Sequence, residues 1–157
     1  MKRLEAQKIK GHEEENIKMK KGVQLTKTAG KHGENGICSA LMGKVCGIIF
    51  EHPQEKKLYL AGDTIWYSEI EKCLQTQKPE YIILNACDAR IKFLGRLIMN
   101  INDIVNVRRT LPKATIIISH MDSVNHAFLT RKDVRKFIDK SQDKKILVPE
   151  DGETLVY

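Results

Sequence analysis

Leu58-Tyr59-Leu60-Ala61-Gly62-Asp63-Thr64-Ile65-Trp66 decides how the rest of the chain is read. An apolar run of strand length stops at glycine, and an acidic residue follows at once. Two further runs, Tyr81 to Leu84 (YIIL) and Thr115 to Ile118 (TIII), have the same character and are continuous in apolar residues. Such runs predict strands covered on both faces, as in parallel sheets. Upstream, Val45 to Phe50 (VCGIIF) and Lys57 to Ala61 flank a polar turn containing Pro53, which predicts an antiparallel hairpin.

Between and beyond these runs the periodicity changes from that of a strand to that of a helix. Ile65, Ile70, Cys73 and Leu74 predict a surface helix over Ile65 to Gln75, stopped by Pro79. Asn102 or Asp103 is placed to cap a second helix that carries Ile104, Val107 and Leu111 inward as far as Pro112. Thr130 followed by Asp133 forms a capping-box signature for a third, with Val134, Phe137 and Ile138 as its buried stripe. Gly22 to Thr28 (GVQLTKT) alternates as a half-buried strand and ends in the turn-forming Ala29 to Gly33. Lys145 to Val148 and Thr154 to Tyr157 read as strands on either side of Pro149 to Gly152. Strands and helices in alternation, without an internal repeat, predict an α/β fold with right-handed crossovers.

Composition bounds the possibilities from the other side. The chain has 157 residues, of which 41% are apolar and 30% charged, a composition ordinary for one soluble domain. At this length a chain buries about two-thirds of its unfolded surface, enough to fold without disulfides. No apolar run approaches the roughly 20 residues of a membrane-spanning helix. Cys38, Cys46, Cys73 and Cys87 form no CxxC pair and sit in apolar segments, as reduced core thiols do in a cytoplasmic protein. The start MKRLEAQKIK has the charge of a signal peptide without its apolar stretch, which also points to the cytoplasm.

The net charge of +7 is unevenly spread: residues 1–31 hold nine Lys or Arg against four Glu, and residues 32–157 hold eighteen against sixteen acids. The basic excess is therefore concentrated towards the amino terminus, where a polar basic lead, residues 1–21, open to disorder, is expected in front of a domain over residues 22–157. That lead mixes both signs and has no aromatic side chain to stack on a base. Nucleic-acid binding is the least favoured of three readings.

In an open α/β sheet, reactive side chains gather on the loops just beyond strand ends. His32, Asp63 and His120 each follow a predicted strand within a few residues, and imidazole with carboxylate is a ligand set that zinc, manganese or iron accepts. Singly, each has an ordinary explanation as a loop hydrogen-bonding or capping residue. Their joint placement makes them candidates.

Five stretches now line up in order: GKHG (Gly30 to Gly33), LYLAGDTIW (Leu58 to Trp66), PEYIILNA (Pro79 to Ala86), SHMDSVNHAFLTR (Ser119 to Arg131) and ILVPEDGETL (Ile146 to Leu155). Together they resemble the later motifs of the metallo-β-lactamase superfamily, in particular its UlaG-like cytoplasmic metal-dependent hydrolases. The resemblance implies the carboxyl-terminal portion of an αββα sandwich with two metals, zinc first among them, at one edge of the sheets. His32 would then ligate the first metal, His120 the second, and Asp63 would bridge them, since a carboxylate can serve two cations about 3.5–4 Å apart. Thr64 and His126 would stand beside the metals or on the substrate side.

The family's earlier His-x-His-x-Asp-His motif is absent. Before His32 stands only His12, in GHEEEN. Neither metal then reaches the three protein ligands usual for catalytic zinc. The amino-terminal portion of the sandwich is expected to be missing with the motif, leaving an apolar sheet face and an open edge. The function expected is a metal-dependent hydrolase of a small-molecule substrate, impaired in this chain and completed by an amino-terminal half-protein. The alternative is a non-catalytic remnant or interaction subunit that associates as a homo-oligomer through the exposed sheet face.

Overall fold

The computed structural model describes residues 16–18, 22–93, 95–122 and 127–156. Strand β1 (Asn16–Lys18) falls inside the stretch read as a polar lead, and residues 1–15 lie outside the described part. β1 pairs antiparallel with β2 (Gln24–Ala29), β2 with β3 (Cys46–His52), and β3 with β4 (Glu55–Leu60). From β4 onward the pairing is parallel, through β5 (Tyr81–Asn85), β8 (Thr115–Ser119) and β9 (Ile146–Leu147). Parallel neighbours need a crossover. Helices α2 (Ser68–Gln77), α3 (Ile101–Thr110) and α4 (Arg131–Ser141) supply one each, and a two-stranded ribbon of β6 (Arg90–Ile91) and β7 (Gly95–Arg96) precedes α3.

The pairings fix direction. β2, β4, β5, β8 and β9 run one way, β1 and β3 the other. The carboxyl ends of β2, β4, β5 and β8 therefore share one edge, and the loops that leave that edge carry His32, Asp63 and His120.

The two faces of the sheet differ. Ile49, Tyr59, Ile82, Leu84, Ile116, Ile118 and Ile146 point to one face and are buried, in one cluster with Ile70 and Leu74 of α2, Ile104 and Val107 of α3, and Val134 of α4. Phe137 and Ile138, the rest of the expected α4 stripe, pack partly buried against this core. On the opposite face, register lines up Leu25 with Phe50 and Leu58, and Ile48 with Leu60, Ile83, Ile117 and Leu147, all only half buried by the described residues. YIIL and TIII are thus covered on one face by the described residues, not on two. Three amphipathic helices with one apolar stripe each make one layer. An open depression of about 510 Å³, lined by Leu58, Tyr81, Ile83 and Ile117 beside the β3–β4 turn, lies on the other face.

Local differences from the sequence reading have identifiable causes. α2 begins at Ser68 and not Ile65, because Thr64 and Ile65 are engaged with Lys31 across the site edge. α3 is capped by Asn100, whose side chain accepts from Asp103 N (3.2 Å) while Asp103 reciprocates, so the true cap lies two residues ahead of Asn102. The Thr130–Asp133 capping box is present as expected. Helix α1 (Gly36–Met42), capped by Asn35, was not anticipated; its exposed Ile37 and Leu41 give it no buried stripe to read. Residues 153–156 form no strand; the Glu153 carboxylate folds back to accept from Glu150 N at 2.7 Å. All four cysteines are free thiols, Cys38 and Cys87 buried and Cys46 and Cys73 half-buried.

Candidate functional site

The loops after β2 and β4 are stitched together next to two of the candidate residues. The Thr64 side chain is fully buried; its Oγ1 accepts from Lys31 N (2.9 Å) and donates to the Ile65 carbonyl (3.1 Å). Ile65 N donates in turn to the Lys31 carbonyl at 3.0 Å. His32 and Asp63, the immediate neighbours of Lys31 and Thr64, are thereby held on one rigid crossing. A hydroxyl suits this position because it can accept and donate at once.

Asp63 has a second support that the sequence reading missed. Asn85, the last residue of β5, donates from Nδ2 to Asp63 Oδ1 at 2.7 Å. A neutral amide fixes one carboxylate oxygen and leaves the charge of Asp63 in place, whereas a lysine there would neutralise it. The only sequence signal for Asn85 was a polar residue ending an apolar run. In register beside it is Ser119, which ends β8 and precedes His120.

His120 is exposed and takes left-handed backbone, φ 67°. The electrostatics tie the three residues together. Burial holds the half-buried His32 imidazole below its ordinary range; the Asp63 carboxylate opposes that shift and the His120 imidazole adds to it. A neutral imidazole with a free lone pair is the form in which histidine ligates a metal. Nearby, burial pushes the Cys87 thiol up, with Asp63 and Asp88 acting in the same direction, so this thiol stays protonated at neutral pH. His126 lies outside the described residues.

Two imidazoles and a carboxylate suit a divalent cation in donor chemistry. In number they do not enclose one: among the described residues no three or more His, Cys, Asp or Glu side chains close on a common point as a metal cage. Also among the described residues, no helix is long and apolar enough to cross a membrane.

No family model matches the chain. The chain is 47% identical over 137 residues to the UPF0173 protein YddR of Bacillus subtilis (strain 168), a match that covers 87% of this chain and 54% of that protein. Among solved structures, the isothiocyanate hydrolase from Delia radicum gut bacteria matches with a TM-score of 0.84 at 38% identity, over 90% of this chain and 58% of the other. A possible metal-dependent hydrolase from Veillonella parvula DSM 2008 matches equally well, with a TM-score of 0.84 at 42% identity over 90% and 56% of the two chains. At 9% identity the metallo-beta-lactamase fold protein YhfI from Bacillus subtilis shares the fold alone, with a TM-score of 0.58 over 87% of this chain and 50% of that one. The chain thus spans little more than half the length of these proteins. Its sheet order and these likenesses agree: the chain carries part of the metallo-β-lactamase fold, which it shares with metal-dependent hydrolases.

Proposed function

We propose that this chain is the part of a metal-dependent hydrolase that carries one wall of its metal centre. The observation that supports this most is the convergence of His32, Asp63 and His120 on the edge where β2, β4 and β8 end. In this reading His32, His120 and Asp63 would hold the metal, with Asp63 supported by Asn85 and by the neighbouring Thr64 crossing. Zinc is the favoured cation, with manganese or iron accepting the same donors. When bound, the cation would supply Lewis acidity to a hydrolytic reaction. The remaining ligands would come from a segment bearing the His-x-His-x-Asp-His motif, and without it the chain would bind metal weakly and turn over little. The four free thiols suit a cytoplasmic setting. The likeness to an isothiocyanate hydrolase makes a small organic isothiocyanate the first substrate to assay.

The half-covered sheet face favours a second element of this reading: a partner seated on it. An amino-terminal half-protein of the same superfamily would cover the apolar residues and bring the absent ligands at once. A non-catalytic subunit closing the face by homo-oligomerisation is the competing reading. Purified chain, alone and mixed with the portion of YddR it leaves unmatched, decides between them. The expected result is weak zinc binding and little isothiocyanate hydrolysis alone, with both rising on mixing. Two tightly bound metals and full turnover by the chain alone would overturn the missing-ligand reading. A stable homo-oligomer that binds no added segment would favour the subunit instead.

A further inference from the structure

We propose that Arg131 is a positioning residue for His120, tying the loop that carries this imidazole to the turn beyond β9. Its functional meaning rests on the reading of His120 as a ligand, whereas its geometry does not.

Past the end of β8 the chain adopts left-handed backbone twice within three residues, at His120 (φ 67°) and Asp122 (φ 61°). Neither is a glycine, and although aspartate and histidine enter this region more readily than most side chains, two such residues in so short a stretch call for support from their surroundings. On the inner side the constraint is Met121, buried between the two. On the outer side it is Arg131, the first residue of α4. Its backbone N–H faces the Asp122 carboxylate, 3.4 Å from each oxygen, and its guanidinium lies 3.9 Å from Asp122 Oδ2.

The same guanidinium reaches away from the loop. Nη1 donates to Glu150 Oε2 (3.2 Å) and Nη2 to Asp151 Oδ1 (2.6 Å), while Arg135 holds Glu150 from the next turn of α4 and donates to the Val148 carbonyl at 2.9 Å. One cation therefore joins three segments that meet nowhere in sequence. His120, Arg131, Glu150 and Asp151 line a single polar depression of about 340 Å³. Arg131 Nε is buried without a hydrogen-bond partner, so the fork gives up one donor to keep the other two on the turn. Ordinary surface ion pairs contribute little because both partners are mobile. Here the Arg131 side chain is only 16% exposed and its backbone is fixed by the helix, so the contacts are geometric constraints as well as charges. Lysine would keep the charge and lose the fork.

The test uses the whole chain, isotope-labelled, without metal or substrate. The one-bond Cα–Hα coupling of His120 and Asp122 separates positive from negative φ, and amide exchange at Arg131 reports the contact to Asp122. R131A is expected to move both couplings towards ordinary negative-φ values and to speed exchange at Arg131's position and along 119–122, with R131K intermediate. K140A, an exposed change in the last turn of α4, is expected to alter none of these. If R131A is poorly folded, R131K and D151N are read instead, against unchanged spectra of β5. Folded variants that retain both couplings and the slow exchange would overturn the proposal. Since no readout involves hydrolysis, failure of the hydrolase reading and failure of this one are separable.

Discussion

Ile82 and Leu84 of β5 are fully buried, while Ile83 between them is half covered by the described residues, and β8 repeats the pattern at Ile116, Ile117 and Ile118. The two faces have the same residue types. What separates them is what lies against each: α2, α3 and α4 bring apolar stripes to one, and no described element packs on the other. Apolar content therefore reports what a strand is suited to, not what covers it, and a face left half open is a physical statement about an unfilled contact.

The sharpest way to break this comparison is to make the same truncation on both faces. Leu84→Ala removes fully packed volume and is expected to cost about 2–5 kcal/mol in urea unfolding. Ile83→Ala, one residue away, is expected to cost about 1 kcal/mol or less, because truncating a half-buried side chain leaves a hollow open to water and not an enclosed cavity. Equal losses would show that the second face is packed as tightly as the first. Adding a partner that fills the face should raise the cost of Ile83→Ala and leave that of Leu84→Ala unchanged.

A smaller effect probes how closely the covered face is built. A Cβ on Gly47 would sit 2.6 Å from Thr28 Oγ1, 2.7 Å from Tyr59 Cε2 and 2.9 Å from the Leu60 carbonyl, the last a backbone atom that cannot swing aside. Gly47→Ala is expected to destabilise by about 1–3 kcal/mol through overcrowding, seen as a lower urea midpoint at constant slope. The smallest effect belongs to the site edge. His120→Ala removes an exposed side chain and is expected to change stability by no more than about 0.5 kcal/mol, with partner binding intact. A larger loss in metal-replete buffer, cancelled by chelator, would assign His120 to a structural metal.

The strand and helix order was legible because the signals were strong and local: YIIL and TIII at strand length, Pro79 and Pro112 as stops, and the Thr130–Asp133 box. His32, Asp63 and His120 could be singled out because each is a ligand-type residue directly after a strand. Asn85 could not, since its importance comes from a bond to Asp63 across 22 residues of sequence. Nor could α1, whose Ile37 and Leu41 face solvent and leave no amphipathic period. The Arg131 contacts were equally hidden; an arginine opening a helix looks like solvated charge until the turn at Glu150 and Asp151 is folded back on it. That the described residues cover β5 and β8 on one face only was hidden for a related reason, since periodicity records the apolar faces of an element and not the neighbours available to fill them.

The mixed pairing of the sheet also has a consequence in time. β3 and β4 close across a tight turn, His52 opposite Glu55, so this hairpin can form while little else is in place. β5 and β8 meet only when Tyr81 finds Thr115, after the ribbon and α3 between them have been gathered in. Loop closure of that length is slow to reward, and non-local parallel pairing is the late event in such sheets. On this topology Asp63 would be delivered early on the end of β4, and Asn85 and His120 with the later parallel pairings. In refolding, the edge that gathers these residues would be the final part of the molecule to appear, and a chain stalled before that point would display a finished hairpin beside an unassembled site.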